Sequence, residues 1–295
     1  MLRLNAFGHE IPSLAECVSS EQLNGLLFRQ LRGILPPQPD GGAHDLAHRL
    51  FENMMIEASD ESVARAAQEL FRDAGVLQHL RNGLAERSAR ILAQIRPFII
   101  GSNVLDYGCG DGEVGWRLSD LGYTVSACDI IDYRTEGARA LPWRLIADDV
   151  GDSPAHTMDS LLLLTVLHHC DNPELTLRSV KSLLPKRIVT IESVYDLTGN
   201  QVTPGKHTET CSTPDAVEWL RLPPKEQFRY ACFWDWFYNK VVNSGILVPY
   251  NFSSPDAWRD RLGMIDYNEV ERIHLGIDQP LVPEFHVLQV FDAAE

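Results

Sequence analysis

The fold is decided by the stretch Val104-Leu105-Asp106-Tyr107-Gly108-Cys109-Gly110-Asp111-Gly112. It begins at the end of a short apolar run, which is typical of a buried parallel strand. The three alternate glycines then permit a sharp turn and a close approach of the backbone to another group. Residues 113–121 follow with apolar side chains at helical spacing, and Gly122 ends that run. The pattern predicts a strand, a glycine turn and a helix whose first amides face a ligand.

Two kinds of nucleotide ligand suit such a turn, and the glycine spacing separates them. A dinucleotide site needs G-x-G-x-x-G, so that a pyrophosphate rests on the helix amides. Here the order is D-x-G-x-G-x-G, and Asp106 would repel a pyrophosphate but suits a cationic amino-acid group. The segment resembles motif I of the class I S-adenosylmethionine (SAM)-dependent methyltransferases, whose glycine loop holds the methionine part of SAM. An NAD-dependent oxidoreductase is the formal alternative, and its glycine spacing is absent.

Composition narrows the class of partner. The chain has 295 residues, a formal net charge of -15 and a pI near 5.1, so it would repel a nucleic-acid backbone and favours neutral or cationic substrates. Its six cysteines form no C-x-x-C pair, which predicts reduced thiols. Neither a membrane span nor a signal-peptide pattern is visible. We therefore expect a soluble cytoplasmic protein with no nucleic-acid or membrane partner.

The resemblance and the apolar patterns together predict an α/β fold with a doubly wound sheet of seven strands. The sheet is mostly parallel, and its last strand is antiparallel. Residues 1–95 show helical periodicity and are interpreted as an N-terminal cap, ahead of a SAM-binding domain over 96–295. A long insertion over 196–252 precedes the sixth strand. Packing on the outside of the sheet, or a homodimer surface, is an equal alternative for the first 95 residues.

Acidic residues follow the second and third predicted strands. Asp129 ends the strand 124–128, the position where dinucleotide folds bind ribose hydroxyls. Asp148 and Asp149 follow the strand 141–147. The resemblance implies that one of them binds the adenine amine, with Asp148 favoured because it comes first after the strand, although a shift of one residue in register would exchange the two. The resemblance implies that the following residues bind SAM: Asp106, Gly108, Cys109, Gly110, Asp129, Ile130, Asp148, Asp149, Thr165 and His168.

The segment Thr165-Val166-Leu167-His168-His169-Cys170 leaves the most apolar strand, 159–164. It resembles the segment after strand four of class I methyltransferases, which walls the cofactor and faces the substrate. Histidine titrates in the range useful for proton transfer, so His168 or His169 is the leading general base, with Glu192 as a further catalytic candidate. The alternative is that one histidine only supports the cofactor by packing or hydrogen bonding.

The insertion contributes the predicted substrate residues. Seven aromatic side chains fall within 228–238. One helical stripe, which is interpreted as docking onto the core, is shared by Tyr230, Phe233, Trp234, Phe237 and Val241. Trp236 and Tyr238 lie off that stripe and are candidates for a substrate pocket, together with His207. Potential metal ligands also occur in the chain: His168, His169, Glu192, His207 and Cys211. Their spacing matches no established zinc motif, so no metal site is predicted.

These observations favour a SAM-dependent methyltransferase that acts on an oxygen or nitrogen of a specialised or amino-acid-derived small molecule. The fold fixes the cofactor and not the bond that breaks. Cyclisation of SAM, or transfer of its aminocarboxypropyl group, is therefore a second hypothesis. A third is a catalytically inactive partner that binds SAM.

Overall fold

The computed structural model describes residues 3–37, 42–57, 59–73, 75–146, 158–199, 201–202, 208–243 and 246–294. The strands are β1 Asn103–Tyr107, β2 Thr124–Asp129, β3 Trp143–Leu145, β4 Ser160–Leu164, β5 Arg187–Ser193, β6 Tyr267–Gln279 and β7 Val282–Ala293. The helices are α1 Leu14–Ser19, α2 Asn24–Ile34, α3 Gly42–Ile56, α4 Asp60–Asp73, α5 Val76–Ile95, α6 Glu113–Asp120, α7 Pro173–Ser182, α8 Pro214–Trp219, α9 Pro224–Trp236 and α10 Pro255–Gly263.

The strands form one sheet in the order β3-β2-β1-β4-β5-β7-β6. The pairs of β1 with β2 and β4, of β2 with β3, and of β4 with β5 are parallel. Strand β7 is antiparallel to both β5 and β6. The predicted fold class is confirmed, and parallel strands with helical crossovers bring the carboxyl ends of β1, β2, β4 and β5 to one edge.

Strand β1 is shorter than the sequence suggested. The apolar run over 98–105 predicts a strand that starts at Phe98. This start is wrong, because Arg96–Phe98 forms a turn of 3₁₀ helix after α5 and the strand begins at Asn103. Asp159 then fixes the start of the strand, since its Oδ2 accepts the backbone N–H groups of Ser102 at 3.0 Å and Asn103 at 3.1 Å. The sheet therefore begins where a side chain satisfies the first free amides.

The two faces of the sheet are covered by different helices. Val104 and Leu162 lie in a core that includes Ile95 of α5 and the apolar side of α6. Leu105 and Leu161 point to the opposite face, where one continuous core reaches α9 and the first four helices. The N-terminal helices thus share their core with the sheet and with α9. The division of the chain at residue 95 stays a prediction.

Helix α9 is buried on all sides. Ten of its side chains are buried, and Phe233, Trp234 and Trp236 have no exposed surface. The helix continues as a π-helix over Phe237–Val242. Within the described part of the chain, no helix has the length and apolar character needed to span a membrane.

Candidate active site

The glycine turn lies between β1 and α6 with all three of its glycines at positive φ. Gly108 has φ 73°, and a Cβ there would lie 2.7 Å from Cγ2 of Val166. Gly110 has φ 55°, and a Cβ there would meet only the ring of Tyr133, at 4.0 Å. The turn is therefore packed tightly against the segment after β4 on one side and is open on the other.

Asp129, the last residue of β2, is the acid that the turn holds. Its Oδ2 accepts the N–H of Gly110 at 2.8 Å, and its Oδ1 accepts the N–H of Ile130 at 2.7 Å. Burial raises the pKa of Asp129, although these amides oppose the shift. The neighbouring Asp132 instead pairs with Arg134 at 2.8 Å. Of these two acids, only Asp129 is fixed to the glycine turn.

Asp106 lies beneath the start of α6. Its side chain is 2% exposed, and its Oδ2 lies 3.0 Å from where a Cβ on Gly115 would be. Burial raises the pKa of Asp106 to about 7, and the negative charges of Asp111 and Asp129 add to the shift. The Asp106 carboxylate therefore packs against the first turn of α6 and lies close to the carboxylates of Asp111 and Asp129.

Replacing Asp106 with Asn is expected to change how stability depends on pH. The folded pKa of about 7 exceeds the ordinary value of 3.8, so the folded state binds this proton more tightly than the unfolded state. Wild-type stability attributable to this group is therefore lost as the pH rises from 3.8 to about 7. Asp106→Asn avoids that loss and should gain on the wild type by about 1–3 kcal/mol across this range. Urea denaturation at pH 5, 6 and 8 measures it, and a pH-independent difference would contradict the expectation.

The histidine pair follows β4 in the 3₁₀ turn Leu167–His169. Nδ1 of His168 lies 2.5 Å from Oε2 of Glu192 on β5. The other oxygen of Glu192 accepts the N–H groups of Val166 at 3.0 Å and Leu167 at 2.8 Å. Burial lowers the pKa of His168 well below its usual range and raises that of Glu192 to about 7. A neutral imidazole is thus oriented by a buried carboxyl group.

His169 lies beside His168, with 4.2 Å between the ring centroids. Its Nδ1–H donates to the carbonyl of Leu247 at 3.1 Å. Its Nε2 lies 3.6 Å from Oδ1 of Asp235 on α9. Since a carbonyl only accepts, Nδ1 carries the proton of the neutral ring, and the Nε2 lone pair faces Asp235.

The backbone of the histidine turn is held by Asn251, which lies in the loop before α10. The N–H of Asn251 donates to the carbonyl of His168 at 3.2 Å, and Nδ2 of Asn251 donates to the carbonyl of Cys170 at 2.6 Å. Oδ1 of Asn251 accepts the N–H of Ala6 at 2.7 Å, and Asn5 donates to the carbonyl of Tyr250 at 2.8 Å. The N-terminal segment therefore supports the backbone of the site.

Arg87 of α5 reaches the same edge of the sheet. Its guanidinium donates to Oγ1 of Thr165 at 3.1 Å and to the side chain of Gln279. Thr165 has φ 58°, a strained conformation for a branched residue, directly after β4. Burial lowers the pKa of Arg87, and no carboxylate of the described residues forms an ion pair with it. Arg87 adds a cation from the N-terminal helices to the site.

The other predicted site residues have different outcomes. Cys109 is buried in the turn, and Ile130 is exposed. Trp236 and Tyr238 belong to the large hydrophobic core, although the Tyr238 hydroxyl has no hydrogen-bond partner among the described residues. Three predicted residues lie outside the described part of the chain: Asp148, Asp149 and His207. The structure thus brings together Gly108, Gly110, Asp129, Thr165, His168, His169 and Glu192 along one sheet edge.

Sequence reasoning missed Arg87, Asp235 and Asn251. Asp235 lies within the aromatic run, and a carboxylate between two tryptophans is a usable signal. Arg87 belongs to an ordinary amphipathic pattern, and Asn251 to a loop. Nothing in their local sequence distinguishes these two.

Comparison with protein families decides the identity of the chain. A family model described as a methyltransferase domain matches residues 49–234, well over half of the chain. The chain belongs to the SAM-dependent methyltransferases. Comparison of this methyltransferase with curated protein sequences gives no match.

Three solved structures are among those to which this methyltransferase is similar. Magnesium protoporphyrin IX methyltransferase from Synechocystis PCC 6803, with bound S-adenosylhomocysteine, is 13% identical with a TM-score of 0.43, covering 73% of this chain and 85% of that one. An N-methyltransferase from Bradyrhizobium japonicum WM9, also with S-adenosylhomocysteine, is 14% identical with a TM-score of 0.44, covering 72% of this chain and 88% of that one. A 1,6-didemethyltoxoflavin-N1-methyltransferase from Burkholderia thailandensis has bound 1,6-didemethyltoxoflavin and S-adenosylhomocysteine. It is 14% identical with a TM-score of 0.43, covering 88% of this chain and 92% of that one.

Proposed function

We propose that this methyltransferase transfers the methyl group of SAM to an oxygen or nitrogen of a small molecule. One observation carries the proposal: the glycine turn and the histidine turn are in direct contact, through Gly108 and Val166. The cofactor residues and a carboxyl-oriented imidazole therefore stand side by side at one edge of the sheet. A reaction between a ligand on the first turn and a group held by the second needs this arrangement.

The residues present fit SAM. Each oxygen of Asp129 already accepts one backbone N–H, and each keeps a lone pair for a ribose hydroxyl. The open side of Gly110 leaves room for the backbone to approach the methionine part. Asp148 and Asp149 stay candidates for the adenine amine. SAM supplies an electrophilic methyl group, and alignment and proton removal are left to the protein.

Gly108→Ala is expected to destabilise the fold and to weaken SAM binding. A left-handed conformation costs a residue with a Cβ about 1–2 kcal/mol, and overpacking against Val166 adds about 1–3 kcal/mol. Val166→Ala opens the space, so the double variant should lose less stability than the sum of the single changes. Urea denaturation and SAM calorimetry on all four proteins measure this, and strictly additive effects would show that the two side chains do not compete for space.

The histidine pair is the group that promotes loss of the acceptor's proton. An oxygen or nitrogen nucleophile must lose a proton during methyl transfer, and a positioned group that assists typically contributes 10²–10⁴-fold. His168 is neutral and held by Glu192, and the Nε2 atom of His169 faces the space beside Asp235. Both rings are therefore poised to act on a group bound between β4 and α9.

Enclosure of this region supports a small acceptor. The end of β4 is flanked by α9 and reached by Arg87 of α5, so packed helices surround the histidine pair. The buried Tyr238 hydroxyl, without a hydrogen-bond partner among the described residues, offers a polar contact. Such walls suit a metabolite better than a protein or nucleic-acid chain.

The reaction is tested by incubating the purified protein with SAM, alone and with a metabolite extract, and following both products by mass spectrometry. We expect S-adenosylhomocysteine only when the extract is present, together with a metabolite that gains the mass of a methyl group. Methylthioadenosine without an acceptor would support the second hypothesis, in which SAM is cyclised or donates its aminocarboxypropyl group. Binding of SAM without any consumption would support the inactive partner.

A further inference from the structure

A set of metal-ligand side chains lies at the end of β4, although their spacing along the chain matches no zinc motif. His168, His169 and Asp235 each offer one ligand atom, and these three atoms lie within 4.8 Å of one another. Nε2 of His169 and Oδ1 of Asp235 are 3.6 Å apart. Donor atoms around a tetrahedral zinc ion lie about 3.4 Å apart, given zinc–nitrogen bonds of about 2.0–2.1 Å. The three ligand atoms must therefore move closer together by at most about 1.4 Å when an ion binds.

The Nδ1 atom of each histidine already has a hydrogen-bond partner of the kind found in metal sites. Nδ1 of His168 is engaged by Glu192 at 2.5 Å, and Nδ1 of His169 donates to the carbonyl of Leu247 at 3.1 Å. Histidine ligands in metal sites almost always place the second ring nitrogen against a carboxylate or a backbone carbonyl. His168 has the carboxyl group of Glu192 as this partner, and His169 has the carbonyl of Leu247. The Nε2 atom of each ring is then left for an ion.

The third residue is a buried carboxylate without adequate compensation. Asp235 is 1% exposed, and its Oδ2 has no hydrogen-bond partner among the described residues. Its Oδ1 accepts one hydrogen bond from Asn239 at 2.6 Å. Across the described ranges, no arginine or lysine forms an ion pair with it. A buried carboxylate in this state is costly unless a cation or a proton joins it.

The local backbone supports a built site. Asp235 lies in the last turn of α9, directly before the π-helix Phe237–Val242. π-Helical turns are rare and frequently occur at functional sites. Asn239, within that π-helix, donates to both the backbone carbonyl and the carboxylate of Asp235, which fixes the side chain.

We propose that His168, His169 and Asp235 bind one divalent transition-metal ion of the zinc class. Two imidazoles and one carboxylate favour such an ion over magnesium or calcium, which prefer oxygen ligands. Three protein ligands leave a coordination position open, as in catalytic rather than structural sites. With both Nε2 atoms on the ion, the two histidines would act as ligands rather than as the base. The ion would lower the pKa of an acceptor hydroxyl or amine that binds it, and the acceptor's proton would pass to water. This role rests on the proposed function, whereas binding of the ion does not.

The test is a zinc titration of untagged full-length protein that has been stripped with EDTA, without SAM or acceptor. Bound metal is measured by mass spectrometry after dialysis, and affinity by competition with a chromogenic chelator. We expect one equivalent of Zn²⁺, and a tetrahedral visible spectrum with Co²⁺. His169→Ala and Asp235→Asn should weaken binding by more than the 10–100-fold that typically follows loss of an outer-shell partner. Circular dichroism verifies that both variants fold.

The matched control is His48→Ala. His48 lies on the surface of α3, stacked on His44 and 3.3 Å from Glu52, and so offers an adventitious site for the same ion. We expect this variant to keep the full equivalent of zinc. Binding that is lost in His48→Ala and kept in Asp235→Asn would overturn the proposal, as would no stoichiometric binding by the wild type. Formation of S-adenosylhomocysteine by a metal-free wild type would then leave the proposed function standing without the ion.

Discussion

Asp129→Ala should weaken SAM binding by about 100-fold. The carboxylate offers two charge-assisted hydrogen bonds to the ribose, each worth about 1.5–3 kcal/mol, and about 3 kcal/mol corresponds to 100-fold in Kd. The same oxygens also hold Gly110 and Ile130, so part of the loss comes from the turn itself. Calorimetry with S-adenosylhomocysteine and with its 2′,3′-dideoxy analogue separates the two contributions. Asp129→Ala should weaken binding of the dideoxy analogue less than binding of S-adenosylhomocysteine, because the analogue has no ribose hydroxyls to lose.

Asp132→Ala is the control for that measurement. Asp132 lies three residues further along and pairs with Arg134 rather than with the glycine turn. It removes the same charge from the same loop, so we expect little change in SAM affinity. Equal losses in the two variants would show that the net charge of the loop, and not a ribose contact, governs binding.

Glu192→Gln should lower kcat by about 100-fold or more while SAM affinity changes little. The glutamine oxygen can accept the N–H groups of Val166 and Leu167, as Glu192 does. Its amide must then donate to Nδ1 of His168, which moves the proton of the ring to Nε2. An Nε2–H neither accepts a proton nor binds a metal ion. The overall shape is kept, and the chemistry should be lost.

The control for this variant is Asp159→Asn. Asp159 also accepts two backbone N–H groups, from Ser102 and Asn103, but at the amino-terminal edge of the sheet. Its replacement should lower the free energy of unfolding and leave kcat unchanged. Single-turnover kinetics and urea denaturation on both variants measure the contrast. A similar fall in kcat for Asp159→Asn would reduce the role of Glu192 to support of the fold.

The sequence predicted the elements whose ends carry local signals. Pro185 prevents the preceding helix from continuing, and the residues after it predict a strand over 187–193, which is the range of β5. The pair Ser254-Pro255 predicts the start of a helix, and α10 begins there, with the Ser254 hydroxyl accepting the N–H of Ala257. The glycine turn and Asp129 were also predictable from local signals, since strand, turn and acid follow one another closely in the chain.

What could not be predicted depends on contacts between distant residues. Asp235 meets His169 only because α9 crosses the end of β4, and no local pattern encodes that crossing. The helical stripe also did not predict that Trp236 and Tyr238 are buried. Helix α9 is surrounded by protein, so nearly every position is buried, and the π-helix that follows departs from the spacing of 3.6 residues per turn.

The bonds from Asn5 and Ala6 to residues 250 and 251 set an order for assembly during synthesis. The backbone of the histidine turn is complete only when a residue from the very start of the chain meets one made some 245 positions later. Contacts of such separation form late and slowly. The backbone contacts of the histidine turn therefore cannot be completed on a growing chain until residues 250 and 251 have been made, long after the glycine turn and Asp129.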